Sequence, residues 1–182
     1  MATREEYEQL KAFARIDGAL VGLLWIISFA CFIGEFTYPA LGMVSLLIGV
    51  SSIVFATMRL RRFRDNILEG AISFRRALCY SFLTYFYAAL LMAAAQFVYF
   101  QFIDNGFLMS QYSAIMSRPE VTQMMTAIYG ITPKDMEIAM GTIAALRPIE
   151  VALQFLTTNL ILGTVISIPM AAMVKSNRKK TF

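Results

Sequence analysis

Histidine is absent from this 182-residue sequence, and cysteine occurs only twice, as Cys31 and Cys79. Histidine is the commonest general base and the commonest metal ligand in proteins, so its absence removes the usual basis for acid-base or metal chemistry. The two cysteines lie in different apolar stretches and form neither a CxxC pair nor a zinc-ligand spacing. We interpret them as small apolar side chains, and we expect no catalytic residue, no metal and no cofactor.

Charged residues are also scarce, at 15% of the sequence, whereas 58% of the residues are hydrophobic. The mean hydropathy of +0.63 is too high for an ordinary soluble domain. The net charge of +4 does not indicate nucleic-acid binding, because the basic residues lie beside apolar stretches and no glycine-rich phosphate loop is present. The sequence predicts a membrane protein whose basic residues contact anionic lipid.

Six arginines between residues 59 and 76 separate two long apolar stretches. An arginine at the centre of a bilayer costs about 3 kcal/mol, so we expect this arginine segment to stay in water. The apolar stretches predict spans over residues 18–36, 40–58, 77–103 and 149–174. The predicted fold is an all-α integral membrane bundle of four transmembrane helices, forming a single membrane domain. Residues 1–16 predict either a helix on the membrane surface or a helical extension of the first span.

Residues 104–147 form the one sizeable polar insertion, between the third and fourth spans. The residues from Ser117 to Glu120 form a capping box, which predicts the start of a helix, and Gly130 predicts its end. Thr132 followed by Pro133 predicts the start of a second short helix. Methionines suit either a surface that lies on lipid or on a partner protein, or a small local core. Six of them lie in this insertion: Met109, Met116, Met124, Met125, Met136 and Met140.

The basic residues predict the orientation of the spans. All but three of the 16 lysines and arginines lie in the N-terminal segment, the arginine segment and the C-terminal tail, the exceptions being Arg118, Lys134 and Arg147. By the positive-inside rule, both termini, including the tail over residues 175–182, and the arginine segment are cytoplasmic. The helical insertion is then extracytoplasmic.

Small residues follow one another on the second span at steps of three and four, which places them on one helix face. This small-residue stripe predicts close helix packing, within the bundle or between copies of the chain, and consists of Gly42, Ser45, Gly49, Ser52 and Ala56. Gly18 and Gly22 form a single GxxxG pair on the first span, which is a weaker packing signal.

Four arginines of the arginine segment are candidates for binding an anionic lipid or a phosphate headgroup: Arg61, Arg62, Arg75 and Arg76. The planar fork of arginine binds phosphate oxygens in pairs, and the four side chains would meet across the loop. The alternative is that these arginines only orient the protein in the membrane.

A second candidate is an intramembrane polar cluster of Glu150, Gln154, Asn159 and Gln96. An ionisable residue within a membrane span is a functional candidate. However, Glu150 lies at the start of its helix, three residues after Arg147, and a local ion pair accounts for it. No second carboxylate is placed to complete an acid-base pair, so we expect that the chain is not an enzyme.

Several short motifs resemble a known family of bacterial membrane proteins, catalogued as domain of unknown function 4199. They are Ile72-Ser73-Phe74 after Gly70, Phe102-Ile103-Asp104 with Phe107-Leu108, and the stretch from Tyr129 to Glu137. The resemblance implies a four-span protein of the inner membrane without an assigned activity. It also implies proximity to a membrane enzyme, since members are often encoded beside a polyprenyl-phosphate glycosyltransferase.

Residues and resemblance together predict a non-catalytic accessory or scaffold protein of the bacterial inner membrane. It would assist a membrane enzyme that acts on lipid-linked substrates, and it would associate with a membrane-protein partner or with copies of itself. The alternative is a small oligomeric transporter or channel for a lipid or a small solute. Four spans would line a pore only by oligomerising, and few polar groups lie deep in the predicted spans.

Overall fold

The structure is a computed structural model, and it describes residues 4–176. These residues form seven helices: α1 (Arg4–Gly34), α2 (Ala40–Ile67), α3 (Phe74–Phe102), α4 (Phe107–Met116), α5 (Pro119–Tyr129), α6 (Pro133–Ala144) and α7 (Pro148–Val174). Helices α1, α2, α3 and α7 are long and apolar enough to cross a membrane. The predicted all-α membrane bundle is confirmed. Most of the predicted C-terminal tail lies outside the described residues.

The chain divides into two compact units. The first contains the residues up to Ala95 together with those from Gln154 onward, and the second contains Gln96–Leu153. Each division falls within a long helix, in α3 and in α7.

In the first unit, α1 is one continuous helix over both the N-terminal segment and the first predicted span. Its buried residues recur at steps of three and four, as expected for one face of a single helix: Leu10, Ala14, Asp17, Gly18, Val21 and Gly22. No separate surface helix precedes the span between Arg4 and Gly34.

Helix α2 does not end where the apolar stretch over residues 40–58 ends, but continues to Ile67. Arginine and leucine are good helix formers, so nothing in the arginine segment interrupts the helix. Leu60 and Phe63 are buried, three residues apart, and Arg61 and Arg62 between them are exposed. The arginine segment is therefore mostly an amphipathic end of α2 and the start of α3, with a short connection between them.

Helix α3 is the most buried of the four long helices. Within its most apolar stretch, 44% of the residues are buried, compared with 22% in α1, 17% in α7 and 11% in α2. The hydrophobic core of the first unit gathers side chains around α3, among them Tyr80 and Tyr85 from α3, Leu60 from α2 and Met170 from α7. Helix α2 instead presents a largely apolar outer face that suits lipid.

The second unit holds α4, α5 and α6. Helices α5 and α6 begin at prolines and correspond to the two predicted helices. The predicted capping box of Ser117 and Glu120 does not form, because Arg118 is the N-cap residue of α5 and makes no side-chain capping bond. Helix α4 is not among the two helices predicted for the insertion, and it follows α3 after the turn at Asp104-Asn105-Gly106. The Asp104 carboxylate accepts hydrogen bonds from the backbone N–H groups of Gly106 and Leu108, at 3.1 and 3.0 Å, and thus also starts α4.

The methionines of the insertion differ in burial. Met136 is buried and Met124 is 49% exposed, while the other four are half-buried. Among α4, α5 and α6, Met136 is the one buried hydrophobic residue, and Ile128, Tyr129 and Ile138 are largely exposed. The described helices of the insertion thus have little core of their own.

Candidate functional site

The ends of the four long helices that carry the basic residues are joined in the first unit. Arg64 at the end of α2 donates a hydrogen bond to the carbonyl oxygen of Val174 in α7, at 3.0 Å. Ile72, just before α3, exchanges two backbone hydrogen bonds with Ser176, at 2.9 and 3.0 Å. Arg76 contacts Glu6 of α1 at 3.4 Å. We call this region, where α1 and α3 begin and α2 and α7 end, the arginine end.

A buried ion pair ties three helices together at the arginine end. Asp17 of α1 is 1% exposed, and its Oδ1 atom accepts a hydrogen bond from Nε of Arg59 in α2 at 2.6 Å and forms an ion pair with Nη2 of Arg59 at 2.5 Å. Its Oδ2 atom accepts a hydrogen bond from the hydroxyl group of Tyr80 in α3. The Tyr80 ring stacks on Phe63 of α2, with 4.6 Å between ring centroids.

This ion pair serves a structural purpose in the site. Both carboxylate oxygens of Asp17 are already bonded, so the buried carboxylate is satisfied by groups from two neighbouring helices. Arg59 accordingly does not belong with the arginines that face water, although it is the first residue of the arginine segment. Asp17 was not predicted from the sequence. The only local sign of its role is that it is an acidic residue directly before the apolar stretch of the first span.

An open cavity of ≈ 530 Å³ lies between α1 and the start of α3. Glu6, Tyr7 and Leu10 of α1 line one side of it. Ser73, Arg75, Arg76 and Cys79 line the other side. The cavity combines two guanidinium groups with apolar walls at the N-terminal end of a long helix, where the helix dipole favours negative charge.

Arg76 is the most unusual side chain of the cavity. Its side chain is 18% exposed, and its Nη1 atom donates one long hydrogen bond, of 3.4 Å, to Glu6. Its Nε and Nη2 atoms are buried and have no hydrogen-bond partner within the described part of the chain. Buried donors without partners cost free energy, typically about 1–3 kcal/mol each, so a group that accepted hydrogen bonds from both atoms would lower this cost.

The structure places the four candidate arginines in two groups. Arg75 and Arg76 line the cavity. Arg61 and Arg62 are exposed on α2 and are not among the residues that line it. The division follows from the helical continuation of α2, which turns Leu60 and Phe63 inward and the two arginines between them outward.

The small-residue stripe of α2 faces α1. Ser45 and Ser28 of α1 exchange hydrogen bonds, each hydroxyl donating to the backbone carbonyl of the other residue at 2.8 Å. Trp25 of α1 donates a hydrogen bond from its indole nitrogen to the hydroxyl of Ser52, at 2.9 Å. Two polar contacts, one at Ser45 and one at Ser52, therefore hold α2 against α1.

The other members of the stripe approach their neighbours to different degrees. A Cβ atom at Gly42 would collide with the side chain of Glu35, and Ala56 is buried in the core. A Cβ atom at Gly49 would lie 3.7 Å from Oγ of Ser28, which is an ordinary contact distance. Close backbone approach is thus not required at Gly49.

The tighter approach involves the GxxxG pair of α1. A Cβ atom at Gly18 would lie 2.6 Å from the carbonyl oxygen of Thr84 in α3, and one at Gly22 would lie 3.2 Å from that of Ala88. These distances leave no room for a side chain at Gly18. The weaker of the two packing signals in the sequence thus marks the closer helix contact.

The four residues of the predicted polar cluster are divided between the two units. In the second unit, Glu150 accepts hydrogen bonds from the side chain of Arg147, the shorter at 2.7 Å, and one from its backbone N–H at 2.8 Å. Gln96 is buried there, with its Oε1 atom unbonded among the described residues. In the first unit, Gln154 is exposed and Asn159 is half-buried. The carboxylate of the cluster is held by its own local ion pair.

Residues 4–176 contain no group of three aspartate, glutamate or cysteine side chains that could hold a metal ion. The model of one protein family, described as "Protein of unknown function (DUF4199)", matches residues 17–176. This range covers most of the chain, begins at Asp17 and includes all six arginines of the arginine segment, but not Glu6 at the start of α1. Comparisons with curated proteins and with solved structures found no match.

Proposed function

Since the chain belongs to this family, DUF4199, for which the match gives no activity, we propose its function from the geometry of the arginine end. We propose that the chain is a non-catalytic membrane accessory or scaffold protein. Its arginine end associates with anionic lipid and with a membrane-protein partner or a second copy of the chain. The partner class that we propose is a membrane enzyme acting on lipid-linked substrates, such as the polyprenyl-phosphate glycosyltransferase that the sequence resemblance implies.

One observation carries this proposal. The six arginines divide into two that hold the helices together, three that are exposed, and Arg76, which both contacts Glu6 and borders the cavity. Arg59 binds Asp17, and Arg64 binds Asp65 and the Val174 carbonyl. Arg61, Arg62 and Arg75 are exposed, and Arg76 borders the cavity. A rigid scaffold thus presents a cluster of positive charge, which suits recognition more than catalysis.

The proposed orientation follows from the same arrangement. The arginine end joins the helix ends beside which most of the basic residues lie. The positive-inside rule then favours a cytoplasmic arginine end, an extracytoplasmic insertion and a location in the inner membrane. Anionic lipids are concentrated on the cytoplasmic leaflet, where each basic residue contributes about 1 kcal/mol to membrane association.

Co-purification from native membranes tests the proposed function. The variant Arg61→Gln/Arg62→Gln removes two exposed charges without changing the Asp17–Arg59 ion pair. At about 1 kcal/mol per charge, we expect more than tenfold weaker association with anionic phospholipid, and a matching loss of the co-purified partner. Bound lipid and partner are quantified by mass spectrometry after extraction in mild detergent.

The matched control is Arg118→Gln/Lys134→Gln, which removes two exposed basic residues from the insertion. We expect this control to retain the lipids and partner of the unmodified protein. Unchanged lipids and partners in the Arg61→Gln/Arg62→Gln variant would contradict the proposal.

A further inference from the structure

We propose that the cavity between α1 and the start of α3 binds a phosphate group, held by the unpaired edge of Arg76 and by Arg75. This inference rests on the proposed function, because it names the chemistry that the arginine end recognises. The phosphate group belongs either to a lipid headgroup or to a water-soluble molecule. Both sources offer the same oxygen atoms to the site.

The geometry of the guanidinium group of Arg76 carries the inference. Nε and Nη2 form one edge of the group, and this edge donates two parallel hydrogen bonds to two oxygens of a phosphate or carboxylate. Both nitrogens are buried and unbonded within the described residues. The third nitrogen, Nη1, already contacts Glu6 at 3.4 Å. The guanidinium is thus held from one side, with its fork left for a ligand.

Three further features of the cavity favour an anion with a phosphate geometry. Arg75 lies on the same wall and adds a second positive charge. Helix α3 begins at Phe74, so the positive end of its dipole and its first backbone N–H groups lie beside the cavity. Leu10 and Tyr7 add apolar and aromatic surface on the opposite wall, which suits the carbon chain of a phosphate ester.

Glu6 limits the affinity of the site. Its carboxylate borders the same cavity and bonds to the same guanidinium group, so it repels an incoming phosphate. Because Nε and Nη2 are buried, a ligand reaches them from the cavity after the side chains that cover them move. Removing the charge of Glu6 is therefore expected to strengthen phosphate binding, whereas removing the fork of Arg76 is expected to weaken it.

Cys79 allows the binding to be measured directly, because this thiol lines the cavity and is half-buried. Protein with Cys31→Ala, purified in detergent, carries Cys79 as its single thiol. The rate of maleimide alkylation of Cys79 is measured against increasing glycerol 3-phosphate and inorganic phosphate. A second arm uses vesicles of phosphatidylcholine with and without phosphatidic acid, and sodium chloride at matched ionic strength serves as the blank.

We expect phosphate compounds to slow the alkylation about tenfold at saturation. Arg76→Lys keeps the charge but removes the fork, and it should raise the phosphate concentration needed for half-maximal slowing about tenfold or more. Glu6→Gln should lower it several-fold, a gain that misfolding does not produce. Arg118→Lys, on an exposed residue of the insertion, should leave it unchanged.

Slowing by the soluble phosphates alone identifies a soluble ligand, slowing by phosphatidic acid alone identifies a lipid headgroup, and either result supports the site. The inference is overturned if no phosphate compound slows the alkylation, if sodium chloride slows it equally, or if Arg76→Lys is protected as well as the unmodified protein. The assay uses purified protein and no partner. Its failure is therefore distinguishable from failure of the proposed function, which the co-purification experiment measures.

Discussion

At the scale of single residues, the charged side chains of the arginine end have opposite tasks although they are close in sequence. Arg59 is held by a buried carboxylate, whereas Arg61 and Arg62 are exposed. Composition alone predicts that arginines avoid the bilayer, which treats all six alike. The pairing of Asp17 with Arg59, across 42 positions of the sequence, sets Arg59 apart from the exposed arginines. Such long-range pairs leave no local pattern, which is why sequence reasoning missed Asp17.

The Asp17–Arg59 ion pair is expected to be important for stability. Asp17→Asn leaves half-buried Arg59 without its counter-charge, and we expect a cost of about 3 kcal/mol, at the lower end of the range for broken buried ion pairs. Thermal unfolding in one detergent measures this loss. Arg59→Gln alone should also destabilise the protein, and the double variant should lose less than the sum of the two single variants, because both remove the same interaction.

The exposed pair of Arg4 and Glu8 on the same helix is the control for this cycle. Its side chains are 92% and 65% exposed, so Glu8→Gln is expected to change the unfolding temperature very little. If Asp17→Asn and Glu8→Gln lowered the unfolding temperature equally, the buried ion pair would contribute no more to stability than the exposed pair.

At the scale of helices, periodicity in the sequence predicts which face packs but not how closely. The stripe on α2 and the GxxxG pair on α1 both lie at helix contacts. The stripe contains more small residues than the GxxxG pair, yet a Cβ atom at Gly49 would lie at an ordinary contact distance from helix α1. Serine and tryptophan hydrogen bonds hold that contact instead. The distance between helices is set by the neighbouring helix, which a single helix pattern does not contain.

We expect Gly18→Ala and Gly49→Ala to differ in effect. A Cβ atom at Gly18 would lie 2.6 Å from the Thr84 carbonyl oxygen and 2.7 Å from Cβ of Tyr87, so helices α1 and α3 must separate. Overpacking of this kind typically costs about 1–3 kcal/mol. Gly49→Ala adds a methyl group at 3.7 Å from the Ser28 hydroxyl and improves helix propensity, so it should be neutral or slightly stabilising. Equal unfolding temperatures of the two variants would contradict this expectation.

The start of α6 is expected to depend on pH. The hydroxyl and backbone N–H groups of Thr132 donate hydrogen bonds to Asp135, at 2.6 and 3.0 Å, and these bonds lower the pKa of Asp135 below its usual value. The contribution of this cap is therefore present above the unfolded-state pKa and is lost as the pH falls through the folded-state pKa. Hydrogen-exchange protection of the first turn of α6, corrected for intrinsic rates, should decrease as the pH falls below about 4, the ordinary pKa of an aspartate.

Asp135→Asn is the matching variant, since an asparagine does not titrate. It should remove most of the pH dependence in this turn while leaving α5 unchanged. If the unmodified protein and Asp135→Asn lost protection over the same pH interval, Asp135 would not be the titrating group.

At the scale of the whole molecule, the four spans and the all-α class can be predicted from hydrophobicity, which is read directly from the sequence. The start of α4 and the true end of α2 do not follow from hydrophobicity. Asp104 ends one helix and caps the next, and the apolar residues Leu60 and Phe63 prolong α2 past its lipid-like stretch. Both features depend on contacts formed after the helices assemble. The same holds for the cavity, since the residues that line its two walls lie more than sixty positions apart in the sequence.

The orientation of the molecule is the prediction with the widest consequence, since it decides which compartment the arginine end meets. Single cysteines replace exposed residues, as Asn66→Cys beside the arginines and Gln123→Cys in the insertion, with Cys31 and Cys79 changed to alanine. A membrane-impermeant thiol reagent should label Gln123→Cys in intact cells, and Asn66→Cys only after permeabilisation. Labelling of both positions from the same side would contradict the four-span topology. Because each arginine costs about 3 kcal/mol at the bilayer centre, the arginine end stays in one compartment once inserted. A cytoplasmic Asn66→Cys would thus place the phosphate cavity beside the leaflet that is richest in anionic lipid.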